Sequence, residues 1–282
     1  MFDRFQSYET WKEAGRDRRA ALIESHLARQ KIVTACVSNE VQSILDIGCG
    51  NGEVTNVLPE RLQVVALDLS LTALRCVQRP KVRASCTALP FQNRQFDLCL
   101  CLEVLEHLSG DEADKTVSEI KRVARTWIIV GVPDREIREM YMITCPNCYR
   151  NFHAWGHRRS YSEKDLDKCF SCEDWHKVAI VRTGEIVNYP PRWQIKVFRA
   201  SGGTYFTPKD FTVCPACGNT EFEQDTSQLP FIARSCYRAF EILRAVKLGV
   251  PQPRPYWAIA CYRRKDLSQE QILKTNLEVP TK

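Results

Sequence analysis

Ser43-Ile44-Leu45-Asp46-Ile47-Gly48-Cys49-Gly50-Asn51-Gly52 decides how this chain is read. An apolar run ends in an acid, and glycines follow at three alternate positions before a stretch, 51–59, of helical composition. Glycine lets a backbone turn sharply and lets a ligand come close. The first turn at a strand's carboxyl end is where doubly wound sheets bind nucleotides. The spacing is G-x-G-x-G, distinct from the G-x-G-x-x-G of dinucleotide binders. The next apolar run, Val64-Val65-Ala66-Leu67, ends in Asp68, a carboxylate placed to accept both ribose hydroxyls of an adenosine. Each feature alone has a plainer explanation, a flexible turn or a solvated strand-end acid.

Outward from this loop, short apolar runs alternate with helical stretches. Residues 70–78 and 111–124 read as helices, and Val82, Phe96 to Leu102 and Trp127-Ile128-Ile129-Val130 read as strands. Nearly continuous apolar strands between helices predict a Rossmann-like α/β fold, doubly wound around a mostly parallel seven-stranded sheet. Before it, Ala20, Leu22, Ile23, Leu27, Ile32 and Val33 recur at roughly helical spacing and predict a helical cap over 1–40. After 135 the pattern loosens. Ser162 caps a short helix and Val178 to Val181 reads as a strand. Residues 183–255 then interrupt the core of 41–182 with Pro190-Pro191, Gly202-Gly203, a Cys-x-x-Cys and a helical segment, 234–247. A last core strand is expected over 256–265, around Ala258 to Tyr262, and a polar tail over 266–282.

The chain of 282 residues is 44% hydrophobic, 26% charged and 10% aromatic. These values exclude a mainly disordered chain and allow a proper core. No apolar run approaches the roughly 20 residues of a membrane span. The stretch Met1-Phe2-Asp3-Arg4-Phe5-Gln6 lacks a basic-then-apolar signal pattern, so a cytoplasmic location is expected. In a reducing compartment the 14 cysteines are packing, metal-ligating or reactive groups. The net charge of +6 is short of a dedicated nucleic-acid binder.

The order of motifs resembles the class I S-adenosylmethionine-dependent methyltransferases, of the type acting on small molecules. Asp46, Gly48, Gly50 and Gly52 match a D-x-G-x-G-x-G run, and Asp68 the second-strand acid. Ala88-Leu89-Pro90-Phe91 with Gln95-Phe96-Asp97-Leu98 is similar to the stretch entering the fourth strand. Cys101-Leu102-Glu103-Val104-Leu105-Glu106-His107-Leu108 is similar to the stretch leaving it. The resemblance implies that Gly48, Cys49, Gly50 and Gly52 flank the methionine part of S-adenosylmethionine and that Asp46 supports that loop. It implies further that Asp68 holds the ribose, Leu69 packs near the adenine, Cys86 and Thr87 line its edge, and the Leu102–Glu103 backbone underlies the methionine moiety. Relatives often carry an acid for the adenine amino group where this chain has Ser85, a weaker neutral partner.

Three Cys-x-x-Cys pairs occur. Cys145-Pro-Asn-Cys148 and Cys214-Pro-Ala-Cys217-Gly218 have the turn chemistry of zinc knuckles, and two knuckles complete a tetrahedral four-thiolate Zn2+ site. That site would clip the insertion to the sheet domain. A set completed by His153 or His157, and simple packing thiols, stay open as alternatives. Cys169 and Cys172 lack the proline and glycine, and buried packing is expected there. Cys49, Cys76, Cys86, Cys99 and Cys101 are read as core or loop lining.

Methyl transfer needs a base only where the acceptor is protonated and poorly acidic. His107, His153 and His157 lie in segments that should follow strand ends at the cleft, so they are the candidates for substrate contact or base, beside the plainer role of hydrogen-bonded structural histidines. Glu103 and Glu106 read as loop-support acids. The expected acceptor is a small molecule, with a saccharide, a lipid-linked intermediate or a secondary metabolite as the candidates. The basic, partly apolar segment 234–247 admits an anionic or lipid-linked substrate, or RNA, beside an ordinary solvated helix face. RNA is the alternative acceptor, though no base-clamping Asn/Asp-Pro-Pro-Tyr stretch follows the fourth strand.

Overall fold

A computed structural model describes residues 21–37, 39–200, 212–222 and 252–265. Seven strands form one sheet: β1 (Ser43–Ile47), β2 (Gln63–Asp68), β3 (Lys81–Arg83), β4 (Phe96–Leu102), β5 (Ala124–Pro133), β8 (Trp175–Tyr189) and β9 (Gln252–Arg264). Their spatial order is β3-β2-β1-β4-β5-β9-β8. The pairs among β1 to β5 are parallel, and β9 lies antiparallel between β5 and β8. A separate hairpin pairs β6 (Met142–Thr144) with β7 (Asn151–His153). This is the doubly wound, mostly parallel sheet expected above.

The central strands alternate between two apolar layers. Leu45, Ile47, Cys99, Cys101, Ile128 and Val130 face one cluster, which α3 (Gly110–Val123) and α4 (Glu163–Phe170) cover with Val117, Ile120, Leu166 and Phe170. Ile44, Leu98, Leu100 and Ile129 face the other, which α1 (Ala21–Cys36) and the chain after it cover with Val33 and Val37. Burial on both faces is why these strands lack polar alternation. Both covering helices start with capping boxes, Ser109 with Glu112 and Ser162 with Asp165, which satisfy amide groups at the helix starts. Arg264 locks the end of β9 to α3 and β5 by donating to the carbonyls of Lys121, Ala124 and Arg125.

Three expectations change. Residues 51–59 hold one 3-10 turn, Thr55–Val57, rather than a helix. Three of the four residues 54–57 are β-branched, Asn56 spends its side chain on Cys76 and Gln78, and Pro59 follows closely. Residues 70–78 contain only the short α2 (Leu71–Leu74), capped by Ser70. β8 and β9 pair well past the expected boundaries at 182 and 256, ending at Tyr189 opposite Gln252. Pro253, Pro255 and Gly184 conceal this ribbon in the sequence. The prolines are tolerated because β5 stops pairing at Pro133 opposite Trp257 and a last backbone bond from Asp134 N–H ends on Tyr256 O, so the ladder with β5 ends before Pro255 and Pro253. Gly184, at φ +95°, sits where the register shifts between Thr183 and Ile186. α5 (Arg192–Ala200) follows β8. The expected segments 1–20, 234–247 and 266–282 lie outside the described residues.

Candidate functional site

The glycine loop leaves β1 at the centre of the sheet, between β2 and β4. Gly48, Gly50 and Gly52 all take left-handed backbone, at φ +70°, +56° and +82°. Gly48 and Gly50 need glycine for different reasons. A Cβ on Gly48 would lie 2.3 Å from Val104 Cγ2, so the loop packs directly on the segment leaving β4. A Cβ on Gly50 would meet nothing within 4 Å, so space opens in front of that backbone. Gly48→Ala is expected to cost about 2–5 kcal/mol of stability through clash and backbone strain. Gly50→Ala should cost about 1 kcal/mol and act instead on ligand affinity. Urea denaturation beside S-adenosylhomocysteine titration separates the two; equal stability losses would contradict this division.

Two acids hold the loop. Asp46 is buried and accepts the Thr55 hydroxyl, and burial pushes its carboxyl up to about 6. Asp68 accepts Gly50 N–H at 2.9 Å and Ser70 N–H at 2.8 Å, one on each oxygen. The same carboxylate thereby shapes the loop and faces the space before it. Leu69 is 45% exposed beside that space, a large apolar side chain without cover. Ser85 and Thr87 join hydroxyls at 2.8 Å, and Cys86 contacts Thr116. At the end of β4, Glu103 is itself left-handed, at φ +58°, and its N–H is held by Gly131 O. From above, α1 reaches the loop's exit through Gln30 to Glu53 O and Arg29 to Glu53, while Arg29 also lies 4.8 Å over the Trp257 ring.

Beyond Val104 the three candidate histidines come together. His107 meets His157 edge-on with ring centroids at 4.8 Å, and His153 stacks on His157 at 4.7 Å. Glu136, just past β5, sits behind them with its Oε2 2.8 Å from His157 Nδ1 and 3.5 Å from His153 Nε2. His153 Nδ1 accepts the amides of Trp155 and His157, so its proton is on Nε2, facing Glu136. Burial works against ionisation of Glu136, yet the hydrogen bonds from His153 and His157 outweigh it and bring its carboxyl down to about 2. Burial pushes His107 down to about 3, which keeps it neutral. Glu106 is 1% exposed, and burial together with the nearby Glu103 drives its carboxyl well above the usual range. Glu136 is a participant that the sequence alone did not single out, and Glu106 was read there only as a loop-support acid. Their one signal was position, just past the carboxyl ends of β5 and β4, where doubly wound sheets place their clefts.

The two proline-bearing cysteine pairs also meet. Cys145, Cys148, Cys214 and Cys217 offer sulfurs that all lie within 4.8 Å of one another. Cys145 is 3.6 Å from Cys217, and Cys148 is 3.6 Å from Cys214. Thiolates about 2.3 Å from a tetrahedral Zn2+ stand about 3.8 Å apart, so this donor set fits that ion. The knuckles are near copies. Cys145 accepts Tyr149 N–H and donates its own amide to Arg150 O, and Cys214 does the same with Gly218 and Asn219. Gly218 takes φ +77° as expected, and Tyr149 takes the same turn at φ +57° without being glycine. A hydrogen bond with the Asn219 backbone helps pull the Cys217 thiol down to about 6. The third pair lies apart from this group. Cys169 is half-buried against α3 and the sheet, whereas Cys172 is exposed, which corrects the expectation of buried packing there. Its backbone pairs with Trp175 at the start of β8, so the thiol follows a surface turn.

A family model described as a methyltransferase domain matches residues 45–126. An uncharacterized protein of Methanocaldococcus jannaschii is 37% identical over 84 residues, which are 29% of this chain and 36% of that protein. The chain thus spans about a third of that relative's length. Among solved structures, a SAM-dependent methyltransferase from Thermotoga maritima, described as a possible histamine N-methyltransferase, is similar at TM-score 0.50 and 13% identity, covering 94% of this chain and all of that one. Magnesium protoporphyrin IX methyltransferase from Synechocystis, solved with bound SAM, is similar at TM-score 0.50 and 16% identity, covering 64% of this chain and 88% of that one. At these identities the structural likeness bears on the fold.

Proposed function

We propose that this chain, which carries a class I S-adenosylmethionine-dependent methyltransferase domain, transfers a methyl group to an O, N or C atom of a small-molecule acceptor. The observation that carries the proposal is the pairing of Asp68 with the left-handed Gly50, which leaves a carboxylate and open space at one place. The bound cofactor supplies a methyl group already activated on a sulfonium, so the protein's work is alignment and exclusion of water. Asp68 would hold the ribose. The backbone of Gly48, Cys49, Gly50 and Gly52, supported by Asp46, would hold the methionine end above Leu102 and Glu103. Leu69, Cys86 and Thr87 would line the adenine.

His157 is the best placed of the three histidines to receive an acceptor's proton, because the Glu136 carboxylate steadies the imidazolium that would form. Burial keeps His107 a weak base, and it would serve as a contact. His153 would orient Glu136. The four cysteines would hold a structural Zn2+. The hairpin β6–β7 links that site to the chemistry. Cys145, Phe152, Ala154 and Cys214 share one small core, and the chain continues from Phe152 through His153 to His157.

The mild net charge and the enclosure of the histidine cluster favour a small acceptor. RNA and anionic or lipid-linked acceptors drew support from 234–247, which lies outside the described residues. Among the described residues no helix is long and apolar enough to cross a membrane. The test is transfer of labelled methyl from S-adenosylmethionine into a fractionated extract. Label is expected in the low-molecular-weight fraction, and label confined to a nuclease-sensitive fraction would replace the acceptor class.

A further inference from the structure

We propose that Glu106, His107 and His157 form a second metal site, one that takes a transition-series divalent cation beside the methyl-transfer position. The ligand atoms of these three residues lie within 4.8 Å of one another. Glu106 is 1% exposed, and neither of its side-chain oxygens finds a hydrogen-bond partner among the described residues. A buried carboxylate with both oxygens unmatched is costly unless something neutralises it. The two imidazoles are anchored so that one nitrogen of each stays available. His157 commits Nδ1 to Glu136 Oε2 at 2.8 Å, leaving Nε2 as its ligand atom. His107 makes a hydrogen bond with the Gly156 backbone, and its Nδ1 would lie 3.7 Å from a Cβ on that glycine. A carboxylate behind a ligating histidine is the usual outer support of a metal site, fixing the ring's tautomer and orientation.

The neighbouring trio of Glu136, His153 and His157 also brings its ligand atoms together. Its groups are engaged with one another, since Glu136 Oε2 faces both rings and His153 Nδ1 accepts two amides, although Glu136 Oε1 makes no hydrogen bond among the described residues. It therefore serves as the outer layer of the site. Two imidazoles and one carboxylate suit Mn2+, Fe2+, Co2+ or Zn2+ better than the all-oxygen preference of Mg2+ or Ca2+. Three protein ligands leave positions open for an acceptor.

Location assigns the role. Glu106 and His107 follow Val104, the residue against which Gly48 packs, so the ion lies next to the cofactor loop. His107, Trp155 and Gly156 are only half-buried, so the cluster reaches the surface on that side. The inference deepens the proposed methyl transfer and rests on it for the donor. It narrows the acceptor to an oxygen, a hydroxyl or two neighbouring oxygens that chelate the ion. Coordination lowers such a hydroxyl's pKa, and its proton passes to water, a route that takes over the base role of His157, whose Nε2 would hold the ion. The oxygen's electron pair then forms the new O–C bond to the methyl group as the C–S bond of the sulfonium breaks, with that bond's pair left on the sulfur of S-adenosylhomocysteine.

The test titrates full-length protein carrying one zinc ion per chain, verified by metal analysis so that only the four-cysteine site is filled, with Mn2+ and follows free Mn2+ by electron paramagnetic resonance. One saturable site per chain is expected, with affinity lowered at least ten-fold in Glu106→Gln and in His157→Asn. Absence of a saturable site in the wild type, or unchanged affinity in a folded Glu106→Gln protein, overturns the proposal. Should the variants not fold, Co2+ added to the zinc-loaded wild type decides. Weak visible bands without a strong near-ultraviolet sulfur band support the nitrogen–oxygen site, and a sulfur band alone places the ion on the cysteines and overturns it. S-adenosylhomocysteine titration of the same samples keeps the two proposals apart. Cofactor affinity without Mn2+ binding overturns the ion site alone, while Mn2+ binding without cofactor affinity supports the ion site and overturns the methyl-donor reading.

Discussion

Asp68→Ala is expected to weaken binding of S-adenosylhomocysteine by two to three orders of magnitude. The carboxylate is assigned to both ribose hydroxyls, and hydrogen bonds to a charged acceptor contribute about 1.5–3 kcal/mol each. Losing two of them corresponds to about 3–6 kcal/mol, and the lower part of that range, about 3–4 kcal/mol, is two to three orders of magnitude in Kd. The same substitution frees the amides of Gly50 and Ser70, which Asp68 now holds at 2.9 and 2.8 Å. The loop therefore loosens as well as losing its acceptor. Calorimetric titration measures the affinity, and circular dichroism confirms that the sheet persists. An Asp68→Ala protein that bound as tightly as wild type would remove the ribose assignment, and with it the main support for the methyl-transfer reading.

The second large effect is expected from the cysteine cluster. Removal of Zn2+ by a strong chelator, or the Cys214→Ser substitution, should lower stability by several kcal/mol and release one region selectively. Apparent zinc-binding energies in small domains reach about 10–16 kcal/mol, because binding and folding of the site are one event. Here the four sulfurs bring residues 212–222 to the β6–β7 hairpin over a small core of Ile137, Ile143, Phe152, Ile195 and Phe222, and a bound ion would tie the two together. Hydrogen exchange should accelerate across 137–157 and 212–222, while β1, β4 and β5 stay protected. His153 and His157 lie in the released stretch, so activity should fall with the metal although none of these four cysteines belongs to the glycine loop. Metal analysis and a thermal melt check this directly. Protein isolated without stoichiometric zinc, yet with an unchanged melt after chelation, would reduce the cluster to packing thiols.

The parallel core was legible along the chain because its physics is local. A strand buried on both faces must be apolar throughout, as in Ile44-Leu45 and Leu98 to Cys101, and a tight turn at a strand end must be glycine. Those constraints are written in consecutive residues, so the loop, Asp68 and the two capped helices could be read directly. The same holds for each of the two proline-bearing cysteine knuckles, whose cysteines and proline are neighbours, with a glycine added in the second. Where local signals conflicted with tertiary context, context prevailed. Val54, Thr55 and Val57 did not continue a helix, and Pro253 and Pro255 did not stop a strand, because hydrogen bonds from distant residues or a free ladder edge altered the local cost. The histidine–glutamate cluster was not legible as a unit. Glu106 and His107 come from the end of β4, Glu136 from the end of β5, and His153 and His157 from the hairpin beyond. Their contacts exist only because the parallel sheet brings those strand ends side by side and the cysteine knuckles hold the hairpin against them. Each of these residues was plain or ambiguous in its own segment. Its chemistry depends on burial and on charges that arrive from elsewhere in the chain, and the order of residues does not encode those distances.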